Sequence, residues 1–242
     1  MDKIINAIKQ ICPQVHRKIQ LIMGIRDEKL KKTGKFILIE TIAIIGLIII
    51  LSFVFKQIAG LFNIIAIVYI LIERRKTGRT WSDIGFKFKS ITTDVKNNLH
   101  WIITVGVIAQ FVSITIAKYF VPGFIEHVQA RVPFMNISQV IPLLIMILFG
   151  TFAEEIVYRG FFQERISWFI KSSYAIVLVS IVFGMMHYSS GYIPIVVYDI
   201  GTIFIDSIIF GIIFNRTKNI FASWIGHILA DLVGIVLLLF YI

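Results

Sequence analysis

The sequence predicts an all-α, polytopic transmembrane helix bundle of about seven to eight helices, with its N-terminus in the cytoplasm. Three observations carry this reading: the composition, the length of the apolar runs and the placement of the basic residues. Of 242 residues, 57% are hydrophobic and 16% charged, and the mean hydropathy is +0.86. An average soluble domain has roughly 45–50% apolar and about 25% charged residues. This chain has more apolar side chain than one small globule buries, so lipid is needed as a second solvent. Five prolines and one cysteine, Cys12, exclude a disordered chain and a disulfide scaffold. The net charge of +10 would suggest nucleic acid in a soluble protein. In so apolar a chain it marks helix ends that face the cytoplasm, so the expected partner is the bilayer and not nucleic acid.

Residues 1–35 read as a basic cytoplasmic segment. They are no cleavable signal peptide, because the basic region is long and no small-residue cleavage site follows the first apolar run. Ile4, Ile5, Ile8, Ile11 and Val15 recur at helical spacing beside Lys3, Lys9, Arg17 and Lys18. That pattern fits an amphipathic helix on an anionic inner leaflet, or equally a helix capping the bundle. Residues 36–72 form a transmembrane hairpin. Phe36–Phe55 is long enough to cross, whereas Ile58–Ile72 is short, a tilted arm or a re-entrant piece. Residues 73–98 are a basic cytoplasmic loop. Residues 99–242 form the main membrane domain, with apolar runs at Leu99–Phe120, from near Ile137 past Gly150, and at Tyr174–His187, Ile193–Phe214 and Ile220–Ile242. A further short helix has room in residues 1–25 or 121–136.

The basic residues fit seven spans. Segments 1–35, 73–98, 159–173 and 215–219 hold 9, 7, 3 and 2 Lys or Arg, while 56–57, 118–136 and 188–192 hold 1, 2 and 0. Twenty-one against three is the asymmetry of a chain whose odd-numbered connections face the cytoplasm.

Ionisable groups inside apolar helices cost at least ~2.5–3.5 kcal/mol each on insertion scales, so each needs a reason. The fourth run contains Glu154-Glu155-x-x-x-Arg159, the fifth Phe183-x-x-x-His187 and the seventh His227-x-x-x-Asp231. Glu155 and Arg159, four apart with the acid first, lie on one helix face in the favourable order for an ion pair. Glu154 points about 100° away, toward a cavity. His227 and Asp231 are also four apart and can touch. If the fourth helix runs to about Ile166, Glu154, His187 and His227 lie roughly 18, 22 and 12 Å from their inner helix ends, near one layer of the membrane.

These three motifs in this order resemble the CPBP family, the CAAX proteases and bacteriocin-processing enzymes also called Abi. The resemblance covers roughly residues 100–242, and Trp81-Ser82-Asp83-Ile84-Gly85 looks like the Asp-x-Gly stretch that often precedes that domain. It implies an intramembrane endopeptidase of the glutamate type. Glu154 would be the general base, His187 would help activate the attacking water, and His227 would sit with residue 231 near the oxyanion. Glu155 and Arg159 would be structural, and Phe183 would pack beneath the imidazole. Where the family pattern has Asn, an amide can donate to an oxyanion. Asp231 must either carry a proton or orient His227.

The resemblance also implies a metal-independent site without cofactor. Two Glu and two His could instead hold zinc with an open position for water, although no His-Glu-x-x-His cluster is present. Asp199 and Asp206, seven apart on one helix face, are expected in the cavity or at its mouth. Glu40 is expected at the membrane interface. His16, His100 and His127 fall at segment ends or in loops, where exposed histidine is ordinary. The expected function is hydrolysis of a peptide bond in a peptide or membrane-protein substrate. The alternative is a bacteriocin self-immunity protein that acts by binding. A transporter fits less well, because two-fold repeats and paired broken helices are missing. The Ile-, Lys- and Asn-rich composition points to a bacterial cell membrane.

Overall fold

The computed structural model describes residues 13–131 and 140–240, and the side chains of 34–130 and 140–240. The expected amphipathic helix at the extreme N-terminus falls largely on residues 1–12, outside the described residues. The chain divides into two compact units, Met1–Ala43 and Ile44–Ile242, and every residue of the sequence motifs lies in the second. All regular structure among the described residues is helical.

Helix α1, Pro13–Val54, includes the apolar stretch Gly34–Val54. The second apolar run is longer than its sequence suggests. A 3₁₀ segment, Lys56–Phe62, leads into α2, Asn63–Thr77, and together they make an apolar stretch of 22 residues. Arg74, Arg75 and Lys76 close α2, where the helix dipole favours cations. Gly78, at φ +71°, ends it with its N–H on the Arg74 carbonyl. After α3, Ile91–Asn97, comes α4, Leu99–Phe120, which widens to π-helix over Thr104–Ile108. The short helix α5, Phe124–Arg131, lies in one of the two segments where a further helix had room. Helix α6, Val140–Ile166, runs unbroken as far as the depth argument required, with π-helix over Glu155–Gln163.

Helix α7, Ser172–Met186, is the departure: at 15 residues, about 22 Å, it is shorter than a crossing needs. Helices α8, Ile193–Thr217, and α9, Ile220–Phe240, complete the described chain. Among the described residues, six helical stretches are thus long and apolar enough to cross a membrane, and the chain is a polytopic helical membrane protein. Large apolar side chains such as Phe111, Ile145, Phe149, Ile181 and Val197 face outward, as a lipid-facing surface requires.

Alternate connections meet at opposite ends of the second unit, as the charge count implies. At one end Arg165 reaches Glu73 at 2.6 Å, Lys218 reaches Glu164 at 3.2 Å, and Arg216 Nε donates to Asn98 Oδ1 at 2.8 Å. At the other, Ser189 Oγ lies 2.8 Å from His127 Nε2, and Gln129 Nε2 donates to the Leu238 carbonyl at 2.9 Å. One basic residue leaves the tally: Arg159, counted with a loop segment, is fully buried inside α6.

The loop before α4 is fastened to the turn between α8 and α9. Lys87 Nζ caps the Thr217 carbonyl at 3.1 Å, and the buried Asn219 amide donates to the Lys87 carbonyl at 3.0 Å and to Asp94 at 2.8 Å. Within it, Thr80 N–H donates to Asp83 Oδ2 at 2.8 Å, and Asp83 N–H donates to Thr80 Oγ1 at 3.2 Å. The Thr80 N–H holds the Asp83 carboxyl below its ordinary value. Gly85 then turns at φ +92°, and its carbonyl accepts the Ile220 N–H at 2.9 Å. A Cβ at Gly85 would lie 2.9 Å from Ile220 Cγ1, and one at Gly160 would lie 2.7 Å from Ile220 Cδ1. Ile220, fully buried, is therefore wedged between a loop and a helix that can approach only because both positions lack side chains. Behind it, Ile102, Val105, Phe210, Ile213 and Ala222 form a core shared by α4, α8 and α9.

Gly85→Ala combines a left-handed backbone with a clash. We expect a loss of about 1–2 kcal/mol or more, read as a lower melting temperature in detergent. An unchanged midpoint would contradict the wedge.

Candidate active site

Helices α6, α7 and α9 bring the three motifs to one region, and the two neighbouring glutamates part company there. Glu155 faces inward and is fully buried. One of its oxygens lies 3.0 Å from His227 Nδ1; the other accepts the Ser223 hydroxyl and lies 3.6 Å from Arg159 Nε. Arg159, also fully buried, donates from Nη2 to Ser207 Oγ at 3.0 Å, and Ser207 donates to Ser180 at 3.0 Å. Its Nε and Nη1 lack hydrogen-bond acceptors among the described residues, and the guanidinium carbon sits 5.3 and 5.9 Å from the ring centres of Phe183 and Phe210. The cation is balanced by one carboxylate and two π-faces.

Glu154 points the other way. It lines a cavity of about 620 Å³ together with His187, His227, Asp231, Phe183, Asp199 and Asp206. Its Oε2 lies 3.8 Å from His227 Nε2, and Asp231 Oδ1 lies 3.9 Å from the same nitrogen. Both gaps exceed a direct hydrogen bond. The glutamate side chain is 26% exposed and that of Asp231 39%. His227 is thus held at Nδ1 by the buried carboxylate and presents Nε2 between two carboxylates at the cavity.

Its ring is sandwiched. Phe210 stacks on it at 4.4 Å and 21°, and Phe183 meets it edge-on at 5.8 Å. Phe183 also packs against His187, centroids 4.6 Å apart. His187 Nδ1 lies 2.8 Å from the Phe183 carbonyl. A carbonyl only accepts, so Nδ1 bears the proton, and in a neutral ring Nε2 carries the lone pair.

The motif residues therefore assemble as one group, with Glu155, Arg159 and Phe183 forming its buried base. Residues that the motifs do not contain complete it: Ser223, Ser207, Ser180 and Phe210. Ser223 lies one helical turn before His227, a spacing legible in the sequence. The long-range contacts of Ser180 and Ser207 carry no such signal. The π-helix that begins at Glu155 also left no mark in the hydrophobic pattern, and such widened turns recur at functional sites.

Three further expectations are settled here. Asp199 and Asp206 both line the cavity, and Asp206 accepts from Gln110 Nε2 at 2.9 Å. His127, expected to be an ordinary exposed histidine, has a side chain only 10% exposed, with Nε2 3.7 Å from Asp199 and 2.8 Å from Ser189. It is largely covered because α5 folds back over the loop that follows α7. His100 is exposed, as expected. Among the described residues, His, Cys, Asp and Glu side chains form no group of three placed to hold a metal ion.

Among known proteins, residues 136–233 match the family model described as Type II CAAX prenyl endopeptidase Rce1-like. No curated protein and no solved structure matches the chain. The matched stretch contains all three motifs, from Glu154 to Asp231. Residues 136–233 are thus similar to the Rce1-like family, within the CPBP group that the motifs resemble.

Proposed function

We propose that this protein is an intramembrane endopeptidase that hydrolyses a peptide bond with water activated by Glu154 and His187, and without a metal. The observation that supports this best is the unequal use of the two glutamates. Glu155 is spent on Arg159, Ser223 and His227, whereas Glu154 faces a cavity beside His227 Nε2. A cavity of about 620 Å³ is of the size that holds drug-sized ligands, hence a few residues of peptide.

In this mechanism the Glu154 carboxylate takes a proton from water as the water oxygen attacks the scissile carbonyl carbon. The lone pair on His187 Nε2 accepts the second water hydrogen as a hydrogen bond and aims the nucleophile. The carbonyl electron pair moves to oxygen, and the oxyanion is met by N–H at His227 Nε2. With Nδ1 donating to Glu155, that N–H requires the doubly protonated ring, whose charge the surrounding carboxylates balance. When the intermediate collapses, the C–N bond breaks and Glu154 returns its proton to the leaving amine. Asp231 acts through His227, as a carboxylate that orients the imidazole. The substrate we infer is a peptide, or a membrane-protein segment that can unwind into the cavity.

Internally quenched peptides, with and without a prenylated CAAX end, presented to protein in liposomes test this. Glu154→Gln should lower cleavage by about 10²-fold or more and leave the melting temperature unchanged. Activity within a few-fold of wild type would remove Glu154 from the mechanism. Glu155→Gln is expected to act differently, because it leaves Arg159 without its buried counter-charge. It should destabilise the fold by about 3–5 kcal/mol, visible as a lowered melting temperature before any assay.

A further inference from the structure

The basic end of the second unit carries more positive charge than its ion pairs balance. Segments 73–98, 160–173 and 215–219 hold eleven Lys or Arg against four Asp or Glu. Two guanidiniums share one of those acids. Arg165 Nη2 lies 2.6 Å and Arg79 Nη1 3.4 Å from the two oxygens of Glu73. Arg74 Nη1 donates to the Arg79 carbonyl at 3.3 Å.

The arrangement leaves donors unused. Arg165 is 2% exposed, yet its Nη1 has no acceptor among the described residues, and neither has Nε of Arg74. The other acids nearby are engaged elsewhere: Asp83 with Thr80, and Glu164 with Lys218 and the Trp168 indole. Two indoles flank the cluster. Trp81 lies 4.0 Å from the Arg74 guanidinium carbon, and Trp168 lies 4.7 and 5.5 Å from those of Arg165 and Arg79. Both indoles remain about half exposed, and Arg75, Lys76 and Lys171 stand exposed around them.

We propose that this cluster is a docking site for the headgroup of an anionic phospholipid. The exposed Arg75 and Lys76 offer their donors to the oxygens of a phosphate, with the positive field of Arg74 and Arg79 behind them; the two Nη atoms of Arg79 are held by Glu73 and the Asp83 carbonyl. Trp81 and Trp168, about half exposed, are the kind of side chain that favours the membrane interface, an apolar ring with a polar N–H. The charge count assigns this end to the cytoplasmic leaflet, where anionic lipid draws basic residues. Free phosphate offers the same oxygens but nothing for the indoles to cover, which favours the lipid.

The test uses the full-length protein in nanodiscs of three kinds: phosphatidylcholine alone, phosphatidylcholine with phosphatidylglycerol, and phosphatidylcholine with inorganic phosphate in the buffer. Phosphatidylglycerol should raise the thermal midpoint and inorganic phosphate should not. Arg79→Gln and Arg75→Gln should each weaken the apparent affinity for phosphatidylglycerol roughly fivefold, one basic residue's share of membrane attraction. Lys118→Gln, at the opposite end, should leave it unchanged. Should Arg79→Gln fold poorly, the exposed pair Arg75→Gln and Lys76→Gln carries the comparison. Equal midpoints in all variants, an equal loss in Lys118→Gln, or reproduction of the shift by phosphate would overturn the proposal.

Discussion

The site depends on a carboxylate that has no water to face. Glu155, fully buried in α6, must be balanced where it lies, because an uncompensated ion in this interior costs several kcal/mol. Its partners come from its own helix and from α9: Arg159 one turn on, the Ser223 hydroxyl, and Nδ1 of His227. Meeting that electrostatic demand fixes the geometry of the site. An imidazole tied at Nδ1 presents only Nε2 to the cavity. The arginine that balances the charge reaches on to Ser207 and Ser180, linking α6 to α8 and α7.

The same end-to-end economy appears in the packing. Charged groups can share a buried layer only if the helices approach closely, and glycine makes that approach possible. Gly85 and Gly160 close on Ile220 from two sides, which sets the start of α9 and therefore the height of Ser223 and His227. Lys87 and Asn219 then lock the loop to the α8–α9 turn. Phe183 and Phe210 serve both charge and packing: each ring contacts the His227 imidazole, and each faces the guanidinium of Arg159. Replacing a hydrated cation with two π-faces is a way to keep arginine in a dry interior.

Much of the site was legible because lipid makes charge conspicuous. In a soluble domain, Glu154, Arg159 or His187 would be unremarkable; in apolar helices, each demands a partner. The i,i+4 spacing paired Glu155 with Arg159 and separated Glu154 from it. Other features were hidden. His127 looked ordinary because its neighbours Ser189 and Asp199 are distant in sequence. The π-helical stretches at Thr104–Ile108 and Glu155–Gln163 leave hydrophobicity unchanged while rotating the side chains that follow.

The sequence by itself determined the class of protein, the alternation of basic connections and the candidate residues of the site. Composition and local spacing govern those through the cost of placing polar groups in an apolar solvent. Only the tertiary structure decided which glutamate faces the cavity, which nitrogen of His227 is held, and which serines and phenylalanines complete the buried base. Those outcomes depend on contacts between residues tens of positions apart, such as Arg159 with Ser207 and Glu155 with His227. Helix approach and side-chain direction settle them, and neither is written in any one helix.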